Sequence, residues 1–245
     1  MLWLDVGLQL VLEQLSGFAP WCGFPVPLVA LPGIIVRSDY LPANSCAEHI
    51  MAMPALPARR WTAAEVRQLT ADNPLLTPRY ELVDGELLVT SSPSAPHQRT
   101  VAALYRPLHL YLATTGVGEA YVSPSDVELE REFISQPDVF VVSREEAIRL
   151  RREDFPVYSL LVAIEVLSPS SGRHDRVRKR PKYQQHVQEY WIVDPDARLI
   201  ERWRPENARP EICASQVEWQ PPAQVAPFAM DVEAFFADVF RQDPE

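Results

Sequence analysis

Residues 159–167 read SLLVAIEVL, an apolar run broken inside by one charged residue, Glu165. A strand with one face in water alternates polar and apolar side chains. A run that stays apolar belongs to a strand covered on both faces, as in the middle of an α/β sheet. The segment therefore calls for helices on either side of it.

The rest of the chain supplies them in alternation. WTAAEVRQL carries Thr62 and Glu65 at capping-box spacing, so a short helix begins there. YELVDGELLVT places Asp84-Gly85 between two β-prone runs, the signature of a tight hairpin. In HQRTVAALYRPLHLYLATTG, Val101, Leu104, Leu108 and Leu112 recur at helical spacing up to Gly116, with Pro107 expected to bend the helix. EAYVSPSDVELE reads as two strands around a Ser-Pro-Ser turn, and DVFVVS as a buried strand. SREEAIRL is a helix capped by Ser143 and boxed by Glu146. After a basic helix come the strands EYWIVD and RLIERWRPE around a DPDA turn, then a terminal helix in DVEAFFADVF. This order predicts an α/β sandwich, a mixed central β-sheet flanked by helices, without internal repeats.

With 245 residues, 47% of them apolar, one main domain is expected, placed at 54–245. Residues 1–53 read differently. Their apolar run is broken by Pro20, Pro25, Pro27 and Pro32 and has no basic residue before Arg37, which fits neither a secretory signal nor a membrane span. They are expected to be an extension, either loosely ordered or upstream of a true start at Met51 or Met53. Three widely spaced cysteines, Cys22, Cys46 and Cys213, form no CxxC pair, so neither a disulfide framework nor a structural zinc site is indicated, and a reducing cytoplasm is expected. With eight glycines and no phosphate-loop or dinucleotide pattern, no nucleotide cofactor is expected. His109 and His186 read as packing or surface residues, and Tyr190 and Trp191 as core.

The net charge of −10 carries no global nucleic-acid signature. The exception is local. Between Arg173 and Lys182 stand six basic residues against one acid, Asp175, and they include both lysines of a chain that otherwise uses arginine. Arg173, Arg176, Arg178, Arg180 and Lys182 suit phosphate contacts, or else form a solvated helix face. Lysine offers what arginine does not, a compact ammonium whose proton affinity responds to its surroundings. Two acids also interrupt apolar strands: Asp138 at the mouth of VFVV, and Glu165. They either cap a strand and pair with an arginine, or together hold a hard divalent cation.

In sequence these residues form P-D, then E-x-x-S, then D-R-x-x-K-x-x-x-Y. That order resembles the PD-(D/E)xK nuclease superfamily and, more closely, its Uma-type family of proteins described as restriction endonucleases. The resemblance runs from about Thr62 to Trp203 through YELVDGELLV, HQR, QPDVFVV, IEVLSPSS, DRVRKRPKY and EYWIVDPDAR. It implies a restriction-endonuclease-like core and a cytoplasmic endonuclease that hydrolyses DNA phosphodiester bonds with Mg²⁺ or Mn²⁺. Asp138 and Glu165 would be the metal ligands. The usual lysine position two residues after the second acid is Leu167, and Lys179 from the next helix takes its place. Glu86, His97, Asp175 and Tyr183 fall on accessory positions, and dimerisation is a superfamily expectation. Two departures accompany the match: Pro181 lies within the helix, and the stretch after His186 is one residue short and lacks the family's glycine. They motivate the alternative of a catalytically inactive nucleic-acid-binding or interaction module. The acidic surface motivates a third, a metal-dependent hydrolase of a small phosphorylated molecule.

Overall fold

A computed structural model of the chain describes residues 59–241 apart from 74, 76, 91 and 169–171, and only the backbone of Arg173. The extension expected at 1–53, with Cys22 and Cys46, lies outside the described residues. The elements follow in the order α1 (Ala63–Asp72), β1 (Arg79–Val83), β2 (Glu86–Thr90), α2 (Ala95–Thr115), β3 (Gly118–Val122), β4 (Val127–Glu130), β5 (Phe133–Ser135), β6 (Val139–Ser143), α3 (Arg144–Glu153) and β7 (Val162–Val166). Helix α4 spans 172–186, and β8 (Glu189–Asp194), β9 (Leu199–Trp203), β10 (Glu211–Cys213), β11 (Gln216–Trp219), β12 (Phe228–Asp231) and α5 (Val232–Val239) complete the fold.

The main sheet has six strands in the order β10-β9-β8-β7-β6-β3, with β7 parallel to β8 and its other pairs antiparallel. Every residue of β7 is buried, as its composition requires. Val162, Ile164 and Val166 join Val139 and Val141 of β6 in a core with Leu104, Leu108 and Leu112 of α2 and Phe235 and Phe236 of α5. The alternate residues, Ala163 of β7 and Phe140 and Val142 of β6, face a second core containing Ala147 and Leu150 of α3, Tyr183 of α4 and Phe133 of β5. Glu165 shares that second face with Ala163, because strand side chains alternate.

Local signals act as expected. Thr62 and Glu65 form a reciprocal capping box, and Gly116 ends α2 in the left-handed region at φ 67°. Asp84 (φ 51°) and Gly85 (φ 78°) link β1 to β2 in the two-residue turn that favours such angles. The box at α3 is half formed. Ser143 accepts from the Glu146 N–H, but the Glu146 carboxylate takes Arg149 and the Tyr158 N–H instead. The two strands around the Ser-Pro-Ser turn do not pair with each other. β3 edges the main sheet, and β4 edges a four-stranded sheet ordered β2-β1-β5-β4. Among the described residues, no helix is long and apolar enough to cross a membrane.

Candidate active site

Antiparallel pairing sets Val139 opposite Ile164 and Phe140 opposite Ala163. Continued one step past the paired residues, at the mouth of the pair, that register would set Asp138 opposite Glu165. The two carboxylates are near enough for the Asp138 charge to act on Glu165. Both are buried, Asp138 at 4% exposure and Glu165 at 3%. The main chain helps to fix the first, since Val166 donates its N–H to Asp138 Oδ2 at 2.9 Å.

Helix α4 brings the lysine from the side. It opens with an α turn (Gly172–His174), widens into a π-helical stretch (Asp175–Lys179) and resumes as α over Arg180–His186. The Arg180 N–H reaches back to the Asp175 carbonyl, closing the wider ring. Pro181 then lies in the first turn of the new α register, where a missing N–H is tolerated. The winding buries Asp175, Lys179 and Tyr183 and leaves Val177 and Arg178 exposed. At the far end, α4 stops at His186 without a left-handed residue. Val187 is extended (φ −118°) and donates to the Tyr183 carbonyl at 2.9 Å.

Lys179 Nζ lies 2.9 Å from Glu81 Oε2, 3.1 Å from Glu165 Oε1 and 3.5 Å from Asp175 Oδ1. Glu165 thus pairs with a lysine, not an arginine. Ser135 Oγ is 2.6 Å from the Tyr183 hydroxyl, which donates to Glu165 Oε1 at 3.4 Å. On the other side, His97 Nε2 is 3.2 Å from Asp138 Oδ2 and 3.1 Å from the Val166 carbonyl. With an acceptor at each distance, Nε2 carries the hydrogen. Arg79 Nη1 is 3.5 Å from Asp138 Oδ1.

Electrostatics follow from this packing. Burial pushes the Glu165 carboxyl well above the usual carboxylate range; Lys179 opposes the shift, while Asp175, Asp138 and Glu81 reinforce it. Burial alone would lower the Lys179 ammonium, but Glu165, Glu81 and Asp175 outweigh it and hold it well above the ordinary lysine value. The two directions agree because Lys179 serves three carboxylates. Burial thus favours the neutral form of Glu165, while the surrounding carboxylates favour the charged form of Lys179. Burial would also raise Asp138, yet the hydrogen bond and charge of His97, with Arg79 and the Val166 N–H, keep it below its ordinary value.

Asp138, Glu165, Lys179, His97, Asp175 and Tyr183 therefore come together. Glu86 does not. It is on the outer end of the β1–β2 hairpin, paired with Arg178 at 2.9 Å. The other basic residues of α4 are engaged with side chains of the same chain. Arg176 meets Asp194 and Glu201, Lys182 meets Asp84 and Glu130, and Arg180 lies over the Trp203 ring. The Arg173 side chain lies outside the described part. Sequence reading passed over Glu81, 2% exposed, and Arg79, both on β1. An acid inside the β-prone YELV is the same signal that singled out Glu165.

Two carboxylates are hard oxygen donors, and Mg²⁺ is commonly held by one or two of them while keeping waters. Among the described residues, no three His, Cys, Asp or Glu side chains are grouped to hold a metal. Asp138 and Glu165 would be the oxygen donors to such an ion, with water completing its shell.

The family described as "Uma2: Putative restriction endonuclease" matches residues 64–233, more than half of the chain. The chain belongs to this family. No protein of curated function matches it. A crystal structure from Anabaena variabilis ATCC 29413, described as a putative nuclease belonging to DUF820, is similar with a TM-score of 0.57 at 16% identity, covering 70% of this chain and 97% of that one. At that identity the likeness speaks for the fold alone, which is restriction-endonuclease-like. In this Uma2 member, Leu167, two residues after Glu165, packs beside the second core, while Lys179 reaches Glu165 from α4.

Proposed function

We propose that this Uma2 protein is a nuclease that hydrolyses phosphodiester bonds of DNA at the Asp138–Glu165–Lys179 cluster, with Mg²⁺ or Mn²⁺ held by the two carboxylates. The observation that carries the reading is the 3.1 Å contact of Lys179 with Glu165, which supplies from a helix the cation that Leu167 cannot. When bound, the metal supplies a Lewis acid for the phosphoryl oxygen and the attacking water. The chain's own residues do the rest. Lys179, held protonated, offers a fixed positive charge to the developing phosphoryl charge. Tyr183 and Ser135 orient the Glu165 carboxylate, and His97 and the Val166 N–H fix Asp138.

The test uses the full chain with supercoiled plasmid and single-stranded DNA in Mg²⁺, Mn²⁺ or EDTA, beside Asp138→Ala, Glu165→Ala and Lys179→Ala. Metal-dependent nicking lost in all three is the expected result. Unchanged cleavage by a folded Asp138→Ala would overturn the reading. One observation favours a second reading, a hydrolase of small phosphorylated molecules: most basic side chains of α4 already have acidic partners, and the net charge of −10 repels a long polyanion. Turnover of such a compound without nicking would select it.

A further inference from the structure

We infer that Arg79 is a substrate-binding residue of this site, its guanidinium contacting an oxygen of the phosphate group to be cleaved. The inference rests on the nuclease reading and adds a residue to it. Arg79 opens β1, two positions before Glu81, and strand alternation puts both side chains on the same face. Its side chain is 13% exposed, so it is mostly shielded from water without being sealed off.

What marks it is poor pairing. A guanidinium carries five N–H donors. Among the described residues, Arg79 reaches Asp138 Oδ1 and the Gln136 carbonyl, each at 3.5 Å, and its Nε has no hydrogen-bond partner. Arginines that serve the fold look different. Arg149 grips Glu146 at 2.7 and 3.0 Å and the Pro156 carbonyl at 2.7 Å, and Arg202 holds Glu211 at 2.5 and 3.2 Å. Asp138 has partners besides Arg79, because its Oδ2 accepts from Val166 and meets His97.

A mostly buried cation with long contacts is costly to keep. The fork geometry of a guanidinium suits two oxygens of one phosphate, and a charge-assisted pair of that kind would satisfy the donors the fold leaves idle. Asp138, the metal-ligand candidate, is beside it. A phosphate held by Arg79 would therefore sit at the mouth of the β6–β7 pair.

The experiment compares the full chain with Arg79→Gln and Arg79→Lys. Plasmid nicking is followed in Mn²⁺, binding of a fluorescein-labelled single-stranded oligonucleotide by anisotropy in Ca²⁺ at several salt concentrations, and folding by thermal melting. Arg79→Gln should lower kcat/KM about 100-fold, the scale of one lost charge-stabilising donor, with Arg79→Lys recovering part of it. The slope of log affinity against log salt should fall by about 0.7, one phosphate contact on a single strand. A merely structural arginine would not move that slope. If the wild type cleaves and Arg79→Gln cleaves within about threefold of it, this inference falls and the nuclease reading stands. If the wild type binds without cleaving and the salt slope drops in Arg79→Gln, the phosphate contact of Arg79 stands while hydrolysis, and with it the scissile position of that phosphate, falls. Equal binding and slope in wild type and variant, no binding by either, or melting loss in both variants that accounts for all lost function would overturn it.

Discussion

Lys179 is closer to Glu81, at 2.9 Å, than to Glu165, at 3.1 Å. Glu81 also accepts the Gln136 N–H at 2.7 Å, two residues before Asp138. One buried carboxylate on β1 thus ties the helix that brings the lysine to the turn that brings the first acid. Glu81→Ala should leave a buried ammonium short of a partner and a buried amide without an acceptor. Loss of one partner from a buried pair costs about 3–5 kcal/mol. Urea denaturation should show a loss of that size, and nicking should fall with it; a variant as stable as wild type would mean that Glu165 and Asp175 suffice for Lys179.

The pH dependence of stability follows from Glu165. Its folded-state proton affinity is raised, chiefly by burial, so the stability linked to its protonated form is complete below the ordinary carboxylate value and is lost as pH rises through the raised one. Glu165→Gln carries no such loss. Its melting temperature relative to wild type should therefore climb as pH goes from about 5 to about 8. Asp138 has the opposite sign. Its lowered value means stability present above the ordinary value and lost as pH falls through the depressed one, so wild-type melting should also drop at strongly acid pH. A difference between Glu165→Gln and wild type that stays flat with pH would show that Glu165 is ionised in the folded protein.

Metal binding should reveal the same proton. If Mn²⁺ takes Asp138 and Glu165 as ligands, Glu165 must give its proton up. Calorimetric titrations of Mn²⁺ in two buffers of different ionisation enthalpy should differ by the heat of about one proton per site. Glu165→Gln should lose both the site and the proton release, and Asp138→Asn the site. Binding with no proton release that also survives Glu165→Gln would place the metal elsewhere.

Much of this fold is legible in the sequence because local chemistry and tertiary context agree. SLLVAIEVL is apolar on both faces and becomes β7, buried throughout; Asp84-Gly85 needs positive φ and adopts it. The pairing of β3 with β6 and of β4 with β5 was not legible, since a Ser-Pro-Ser turn between two strands looks the same whether they pair or part. Pro181 is the instructive case at the site. By helix propensity it is a breaker, and the chain answers by widening the preceding turn into a π-helical stretch, which no local propensity announces. Asp138, Glu165 and Lys179 were visible because charge inside apolar strands, and lysine in an arginine-rich chain, are each unusual. Glu81 carried the same signal without a motif to draw attention to it, and the long contacts of Arg79 exist only in three dimensions.

The β1–β2 hairpin and helix α4 make the last prediction. Asp84 Oδ1 is 2.5 Å from Lys182 Nζ, and Glu86 Oε2 is 2.9 Å from Arg178, so the acidic turn lies against two of the cations that a phosphate backbone would meet. Asp84 and Glu86 are 60% and 44% exposed, and pairs this open contribute little to folding. Their larger effect is on the partner, since an acid beside each cation competes with phosphate for it. Asp84→Asn with Glu86→Gln should leave the melting temperature close to that of wild type. The same change should tighten oligonucleotide binding at low salt and steepen its salt dependence, because cations freed from internal acids release more counterions on binding. Anisotropy titrations at several salt concentrations read both effects. Unaltered affinity and slope would mean that nucleic acid approaches the Asp138–Glu165 mouth without touching this face of α4.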